Sequence, residues 1–375
     1  MKVLITGGAG FIGQALTDYL LKKKVKVSVL DNLSPQVHGD DANFFNPGVD
    51  FIKGDICDLE LVNNVVGLGN FDVIYHLASE TGTGQSMYEV EKYVRVNELG
   101  TANLLQAVLQ SEQSQSPCLI LSSSRSIYGE GLYADEDGNR FTPPARSSEN
   151  LRKNLWLPIS VNTNMNLTPL ATDEDAAIVP ASLYAITKHS QEQKFKCICE
   201  AHDIPYGIVR FQNVYGEGQS LRNPYTGIIS IFYNRLRQGL GVDLFEDGGP
   251  VRDFVHVSDA VQGLTKLADA VPNLRQHKVF NVGSGSPTTV REVAVEILKH
   301  CETENEISVS GNFRVGDIRY NVACLKRAKK FLGYSPQINL SEGISRFCRW
   351  ASEEPAFEDS SADAMDKLKI LGLSK

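Results

Sequence analysis

The sequence predicts an α/β fold: a doubly wound parallel sheet with helices on both faces, followed by a smaller mixed α/β C-terminal lobe. Three observations carry this. Met1 to Thr6 (MKVLIT) is a short apolar run. It passes through Gly7-Gly8-Ala9-Gly10-Phe11-Ile12-Gly13 into an amphipathic stretch with Phe11, Ile12, Ala15, Leu16, Tyr19 and Leu20 near helical spacing. From Met1 to about Ser126, short apolar runs alternate with helical patterns, as βαβ units require. The second run, Val25 to Leu30, ends in an acid, Asp31, 18 positions after Gly13.

Each part of that opening has a chemical reason. Glycine is needed where backbone approaches a pyrophosphate and where helix and strand pack closely. The following helix presents free N–H groups and the positive end of its dipole to the phosphates. An acid at the end of the second strand accepts the ribose hydroxyls and repels a 2′-phosphate, so the cofactor expected of this Rossmann arrangement is NAD. Gly7, Gly10, Phe11, Ile12, Gly13 and Asp31 are its first contacts.

Composition narrows the classes. The net charge is −8, which argues against nucleic acid as a partner; local arginines still leave room for a phosphorylated small substrate. No apolar run is long enough to cross a bilayer, and the apolar N-terminus is the first strand rather than a signal peptide. The seven cysteines are scattered without a C-x-x-C pair, so reduced thiols in a cytoplasmic protein are expected and no metal site is.

In order, the expected strands are Val3–Thr6, Val25–Leu30, Val49–Ile52, Val73–His76 and Cys118–Ser122. Asp55 and Ile56, after the third, would sit beside the adenine. Leu77, Ala78 and Ser79 carry the fourth into a turn near the pyrophosphate. Ser86 to Gln113 reads as one long helix, on which Asn97 is polar among apolar neighbours; it either makes a helix-spanning hydrogen bond or braces the catalytic groups. From Gly129 to Pro180 the periodicity fails among prolines and asparagines. Phe141, Leu151, Leu155, Trp156, Leu157, Ile159 and Leu167 nevertheless need cover, which suggests a folded flap over the substrate side. Ser182 to His202 is then a helix and Gly207 to Phe211 a strand. Shorter elements follow at Tyr225–Gly239, Val242–Leu244, Val279–Val282, Thr289–His300 and Leu325–Phe331, read as the C-terminal lobe. The expected division is 1–180 for the cofactor domain with its insert at 129–180, and 181–353 for the rest of that domain interleaved with the substrate lobe. An acidic tail, 354–375, ends in a helical pattern at Met365–Leu371.

Tyr184 and Lys188 are one helical turn apart on one face. A free tyrosine, with pKa about 10, is a poor base at neutral pH. A neighbouring ammonium and a cationic nicotinamide favour the phenolate. Ser122, Ser123 and Ser124 end the fifth strand, where a hydroxyl can hold the reacting oxygen.

With these residues in place, the chain resembles the extended short-chain dehydrogenase/reductases, in the NAD-dependent epimerase/dehydratase branch acting on nucleotide sugars. The matching motifs are TGGAGFIG (Thr6–Gly13), GDI (Gly54–Ile56), HLAS (His76–Ser79), VNELGT (Val96–Thr101), SSSRSIYG (Ser122–Gly129), YAITK (Tyr184–Lys188), RFQNVYG (Arg210–Gly216), VRDFVHVSD (Val251–Asp259) and FNVGSG (Phe280–Gly285). The resemblance implies Ser124, Tyr184 and Lys188 as the catalytic triad. It adds Asn32, Asn97, Ser122 and Phe211 to the cofactor site, and a nucleotide-diphosphate sugar held by Glu80, Ser124, Arg125, Asn213, Thr226, Phe245, Arg252 and Arg314. It also implies a homodimer through the long helices, although those helices could equally be buried by the chain itself.

Dehydratases of this branch carry Asp-Glu after the catalytic Ser or Thr; here Arg125 and Ser126 stand there, which disfavours elimination. Only Cys118 lies near Ser124, in a strand, which disfavours C3/C5 epimerisation. Redox at C4 remains. LDNLSPQVHG (Leu30–Gly39), ETGTGQSMYEV (Glu80–Val90), YGEGLY (Tyr128–Tyr133) and NPYTGIISIF (Asn223–Phe232) are similar to C4 epimerases of dTDP-sugars. Gln212 replaces the aromatic residue that UDP-galactose 4-epimerases carry before the asparagine. The implied activity is inversion at C4 through a transient 4-keto sugar. The alternatives are a 4-keto-sugar reductase or, in another class, an NAD sensor without turnover.

Overall fold

Five of the seven strands of the central sheet come from the first third of the chain. In the computed structural model they are β1 (Lys2–Thr6), β2 (Lys26–Asp31), β3 (Val49–Lys53), β4 (Val73–His76) and β5 (Cys118–Ser124), followed by β6 (Tyr206–Phe211) and β7 (Val279–Val282). The structure describes residues 1–39, 42, 44, 46–113, 115–160, 163, 165–223, 225, 227–301, 306–314, 316–355, 366–367 and 369–374. All neighbouring pairs are parallel, in the order β7-β6-β5-β4-β1-β2-β3. The order reverses between β1 and β4, and ligands of such sheets bind outside the carboxyl ends of the strands at that point.

Strands buried on both faces read as continuous apolar runs, and those of β1, β4 and β5 do so here. One face is covered by the helices Phe11–Lys22 and Val257–Ala270, whose Leu16, Leu20, Leu264 and Leu267 pack on Val3, Ile5, Val29 and Ile120. On the other, Val62, Val66, Leu104, Leu105 and Phe195 meet Leu4, Ile74, Leu119 and Leu121.

Two expectations change. Val279–Val282 belongs to the main sheet rather than to the lobe: it pairs with β6, and Phe280 and Val282 complete the first core. The single helix read over Ser86–Gln113 is divided into Thr83–Ser86, Val90–Tyr93, a π-helical turn Val94–Leu99 and Gly100–Gln110. The apolar period alone cannot distinguish a wider turn from an α-turn.

The lobe has its own core, where Phe232 and Leu236 of the helix Ile228–Arg237 meet Val293 and Ile297 of Val290–Leu298 and Ile344 and Phe347 of Leu340–Glu353. The insert is not structureless. Tyr133–Ala134 pairs with Arg140–Phe141 and with Thr168–Pro169, and Ser148–Arg152 is helical. Asn162 and Asn164, among its irregular markers, lie outside the described residues, as does Met365 at the start of the tail pattern. Asp366, Lys367, Lys369 and Ile370 are helical as that pattern predicts.

Candidate active site

A cavity of about 400 Å³ opens at the carboxyl ends of the central strands. Its wall contains Gly7, Gly10, Phe11 and Ile12 from the first turn, Asp31 and Asn32 after β2, and Asp55 and Ile56 after β3. Leu77, Ala78 and Ser79 after β4, Ser122, Phe211, Tyr184 and Lys188 complete it. Gly7 has φ +71°, and a Cβ there would lie 2.6 Å from the Ala78 nitrogen, so only glycine lets the two turns meet. Gly13 does not reach the cavity. A Cβ there would come within 2.5 Å of the Gly7 oxygen and Gly8 Cα, so its role is close packing of helix on turn.

Asp31 is 9% exposed, its carboxylate accepting from the Ala9 N–H at 3.0 Å and the Leu33 N–H at 2.9 Å. Those bonds hold it at the cavity edge with both oxygens oriented. Asp55 accepts from the Cys57 N–H at 2.8 Å and from Asn32 Nδ2 at 3.3 Å. Burial alone would raise its pKa, but these bonds overcome it and hold the carboxyl below its usual value. A glycine cradle, an oriented acid and a helix N-terminus fit NAD. Ser34 and, from the short helix Pro35–His38, Gln36, Val37 and His38 also line the cavity; they belong to the segment LDNLSPQVHG, in which no spacing signal marks these four as cofactor contacts.

Ser124 ends β5, and Tyr184 and Lys188 lie in the first turns of the helix Leu183–Ala201, which Ser182 caps by accepting from the Ala185 N–H at 3.2 Å. Tyr184 and Ser124 both line the first cavity. Lys188 Nζ donates to the Ser122 carbonyl at 2.9 Å and stands 6.0 Å from the Tyr184 ring centroid. Burial raises the Tyr184 pKa, against which the Ser124 side chain and the Arg125 charge act. Burial likewise pushes the Lys188 ammonium down to about 7.

Asn97 is fully buried behind this wall and is not among the cavity residues. Its Oδ1 accepts from Ser79 Oγ at 3.0 Å and the Glu80 N–H at 2.8 Å; its Nδ2 donates to the Glu80 carbonyl at 3.1 Å and to Thr187 Oγ1 at 3.0 Å. It braces the turn after β4 against the helix that carries Tyr184 and Lys188. The π-turn that places it is a common device at functional sites. A polar residue in an apolar row was its trace in the sequence.

A second cavity, of about 460 Å³, lies between the central sheet and the lobe and shares Asn213 with the first. Arg125, Phe245, Arg252 and Arg314 line it. Arg125 Nε donates to Asn213 Oδ1 at 2.7 Å, and the Arg314 guanidinium lies 4.9 Å from the Phe245 ring centroid. Burial, and then repulsion from Arg252, lowers the Arg125 pKa to about 9; burial lowers that of Arg252 too. The Asp317 carboxylate, on the same cavity, opposes the shift on both arginines. Glu80 lies on the first cavity instead, 3.2 Å from Lys92 Nζ. Thr226 lies outside the described residues. Asp317, Asn312, Tyr225, Lys369 and Leu373 also line the second cavity, and no spacing signal marked them.

The insert corrects the flap expectation: no described residue between 129 and 180 lines either cavity. Part of its apolar surface is covered elsewhere, Leu132 and Ala176 against Ile127 and Tyr128, with Leu151 and Leu167 also buried, while Phe141 and Leu155 are exposed. Arg146, 3% exposed, pairs with Glu130 and Glu246 at 2.8 Å each and donates to the carbonyls of Trp156 and Asp317. These bonds fix the insert to the lobe.

Comparison with known proteins agrees with this site. Residues 4–143 match the family model described as GDP-mannose 4,6 dehydratase, and residues 163–283 match that of the NAD dependent epimerase/dehydratase family. A dTDP-L-rhamnose 4-epimerase from Burkholderia thailandensis is 34% identical over 359 residues, covering 94% of this chain and 95% of its own. The UDP-glucose 4-epimerase of Thermotoga maritima, solved with UDP-glucose, superposes with TM-score 0.76 at 26% identity, covering 94% of this chain and 99% of that one. The UDP-glucose 4-epimerase of Thermus thermophilus, solved with NAD, gives 0.73 at 26%, covering 95% and 100%. The chain therefore belongs to the NAD-dependent epimerase/dehydratase family of nucleotide-sugar enzymes and is an NAD-dependent epimerase. Among the described residues, no helix is long and apolar enough to cross a membrane.

Proposed function

We propose that the enzyme inverts C4 of a dTDP-linked 6-deoxy sugar, with dTDP-L-rhamnose as the first substrate to test. The observation that carries this reading is the similarity to the Burkholderia thailandensis enzyme along nearly the whole of both chains. Gln212, buried where an aromatic residue is expected for UDP-galactose, and Arg125-Ser126 in place of an acid pair after Ser124, support the same choice.

In this reading NAD, bound in the first cavity, supplies a reversible hydride acceptor. Tyr184, in the same cavity as Ser124, takes the proton of the C4 hydroxyl and later returns one to the 4-keto oxygen. Ser124 holds that oxygen between the two events. Lys188, fixed on the Ser122 carbonyl, orients the cofactor ribose and stabilises the phenolate. Arg125 lends the phenolate a second positive charge. Arg252 and Arg314 hold the diphosphate, for which guanidinium forks are suited, so that the keto sugar can turn without leaving.

Exposed Val90, Val94, Leu99 and Ile186 on adjoining helices support a homodimer seam, and the seven unpaired cysteines support a reducing, cytoplasmic setting. The test is direct: purified enzyme without added NAD should interconvert dTDP-L-rhamnose and dTDP-6-deoxy-L-talose, with deuterium at C4 retained. Turnover of UDP-glucose instead, or a stoichiometric need for NAD(P)H, would refute it.

A further inference from the structure

The end of the chain returns to the second cavity. Lys369 and Leu373 are part of its wall, together with Arg125, Phe245, Arg252 and Arg314. The segment is anchored on both sides of the opening. On the sheet side, Lys367 Nζ lies 4.2 Å from the centroid of the Tyr88 ring, next to Met87, which also lines the cavity. On the lobe side, Ser374 forms an antiparallel backbone bridge with Arg314. Between these anchors the chain turns through hydrogen bonds from the Leu371 N–H to the Lys367 carbonyl and from the Gly372 N–H to the Lys369 carbonyl. A tail that merely ended nearby would have neither anchor.

We propose that the described residues from Asp366 to Ser374 form a strap across the nucleotide-sugar site, and that Lys369 is a binding cation for the diphosphate. Lys369 is half-exposed, and its carboxylate partner is Asp366 at 3.4 Å. Such an exposed pair is worth little, so the ammonium can turn to a phosphate at small cost. Leu373 gives the same wall an apolar patch. The strap must open for the nucleotide sugar to enter and close to retain it, which suits a reaction whose keto intermediate has to rotate without escaping. This inference rests on the reading of the second cavity as a nucleoside-diphosphate site.

The experiment measures binding of dTDP and UDP to the NAD-loaded full-length enzyme, to Lys369→Glu, and to a chain ending at Pro355, by calorimetry and stopped-flow dissociation. Lys369→Glu should weaken the better-bound nucleotide roughly tenfold or more while leaving thymidine binding unchanged. The shortened chain should release the nucleotide faster, with bound NAD and melting temperature near those of the full chain. Should the shortening disturb folding, Lys369→Glu in the intact chain decides the matter alone. If both variants bind as the full chain does, or more tightly, the strap is wrong and the functional reading stands. If the full chain binds neither nucleotide, the functional reading fails and the strap with it.

Discussion

Lys188 Nζ donates to the Ser122 carbonyl at 2.9 Å, which ties the catalytic helix to the end of β5 and holds an ammonium where burial lowers its pKa to about 7. A lysine in the unfolded chain titrates near 10.4. Between those two values the unfolded state binds the extra proton, so this group makes the free protein more stable as pH rises from about 7 to 10. Below 7 its penalty is constant. Lys188→Met should therefore raise Tm at pH 7.5 by ~2–4 °C while abolishing turnover. Calorimetric scans of the two proteins at pH 7.5 and pH 10 check this: the difference should shrink at the higher pH.

Tyr184→Phe should lose turnover by ~10²–10⁴-fold, the scale of general acid–base catalysis, and still retain NAD. Near-normal turnover would place the proton transfer on another group, Ser124 first.

Because the Arg125 charge lowers the Tyr184 pKa, its removal should raise it. The activity of Arg125→Met should then need a higher pH, its acidic limb shifting upward relative to wild type. The pH profile of kcat measures this directly. An unshifted limb would mean that Arg125 serves the substrate alone.

Asp31→Ala removes the acceptor of the Ala9 and Leu33 N–H groups as well as the expected ribose partner. A charged hydrogen bond contributes about 1.5–3 kcal/mol, so NAD affinity should fall roughly tenfold or more, and NADP should be excluded less. Equal NAD affinity in the variant contradicts the assignment.

Arg146→Met should act on stability rather than on the sugar. It leaves Glu130 and Glu246 buried without this partner, at a cost of about 3–5 kcal/mol. Urea unfolding should show the loss, while the KM for the nucleotide sugar in the folded fraction stays unchanged. Limited proteolysis gives the companion result: added dTDP should not protect the insert, since none of its described residues lines either cavity.

Much of the fold was legible because parallel strands buried on both faces leave unbroken apolar runs, and because Gly7 to Gly13 can serve only a few backbone geometries. Tyr184, Lys188 and Asp31 were legible through their spacing from other marks. Arg146 was not: its partners Glu130 and Glu246 meet it through tertiary folding, and an arginine destined for burial looks like any surface charge. Val279–Val282 was assigned to the wrong layer because an apolar tetrapeptide does not declare its partner. The flap was misjudged for a related reason. Its apolar residues showed that they need cover, but not which surface supplies it.

The late arrival of that strand bears on how the protein is made. A nascent chain can present residues 1–211 and so assemble β1 to β6, with the glycine turn, Asp31, Ser124 and Tyr184 in place, before Val279 has been synthesised. Until then β6 is an open edge with unpaired N–H and carbonyl groups, able to template pairing with another chain. A ribosome stalled between the codons for Phe211 and Val279 would thus leave a polypeptide with most of a cofactor domain and one adhesive side, dependent on chaperones during that interval.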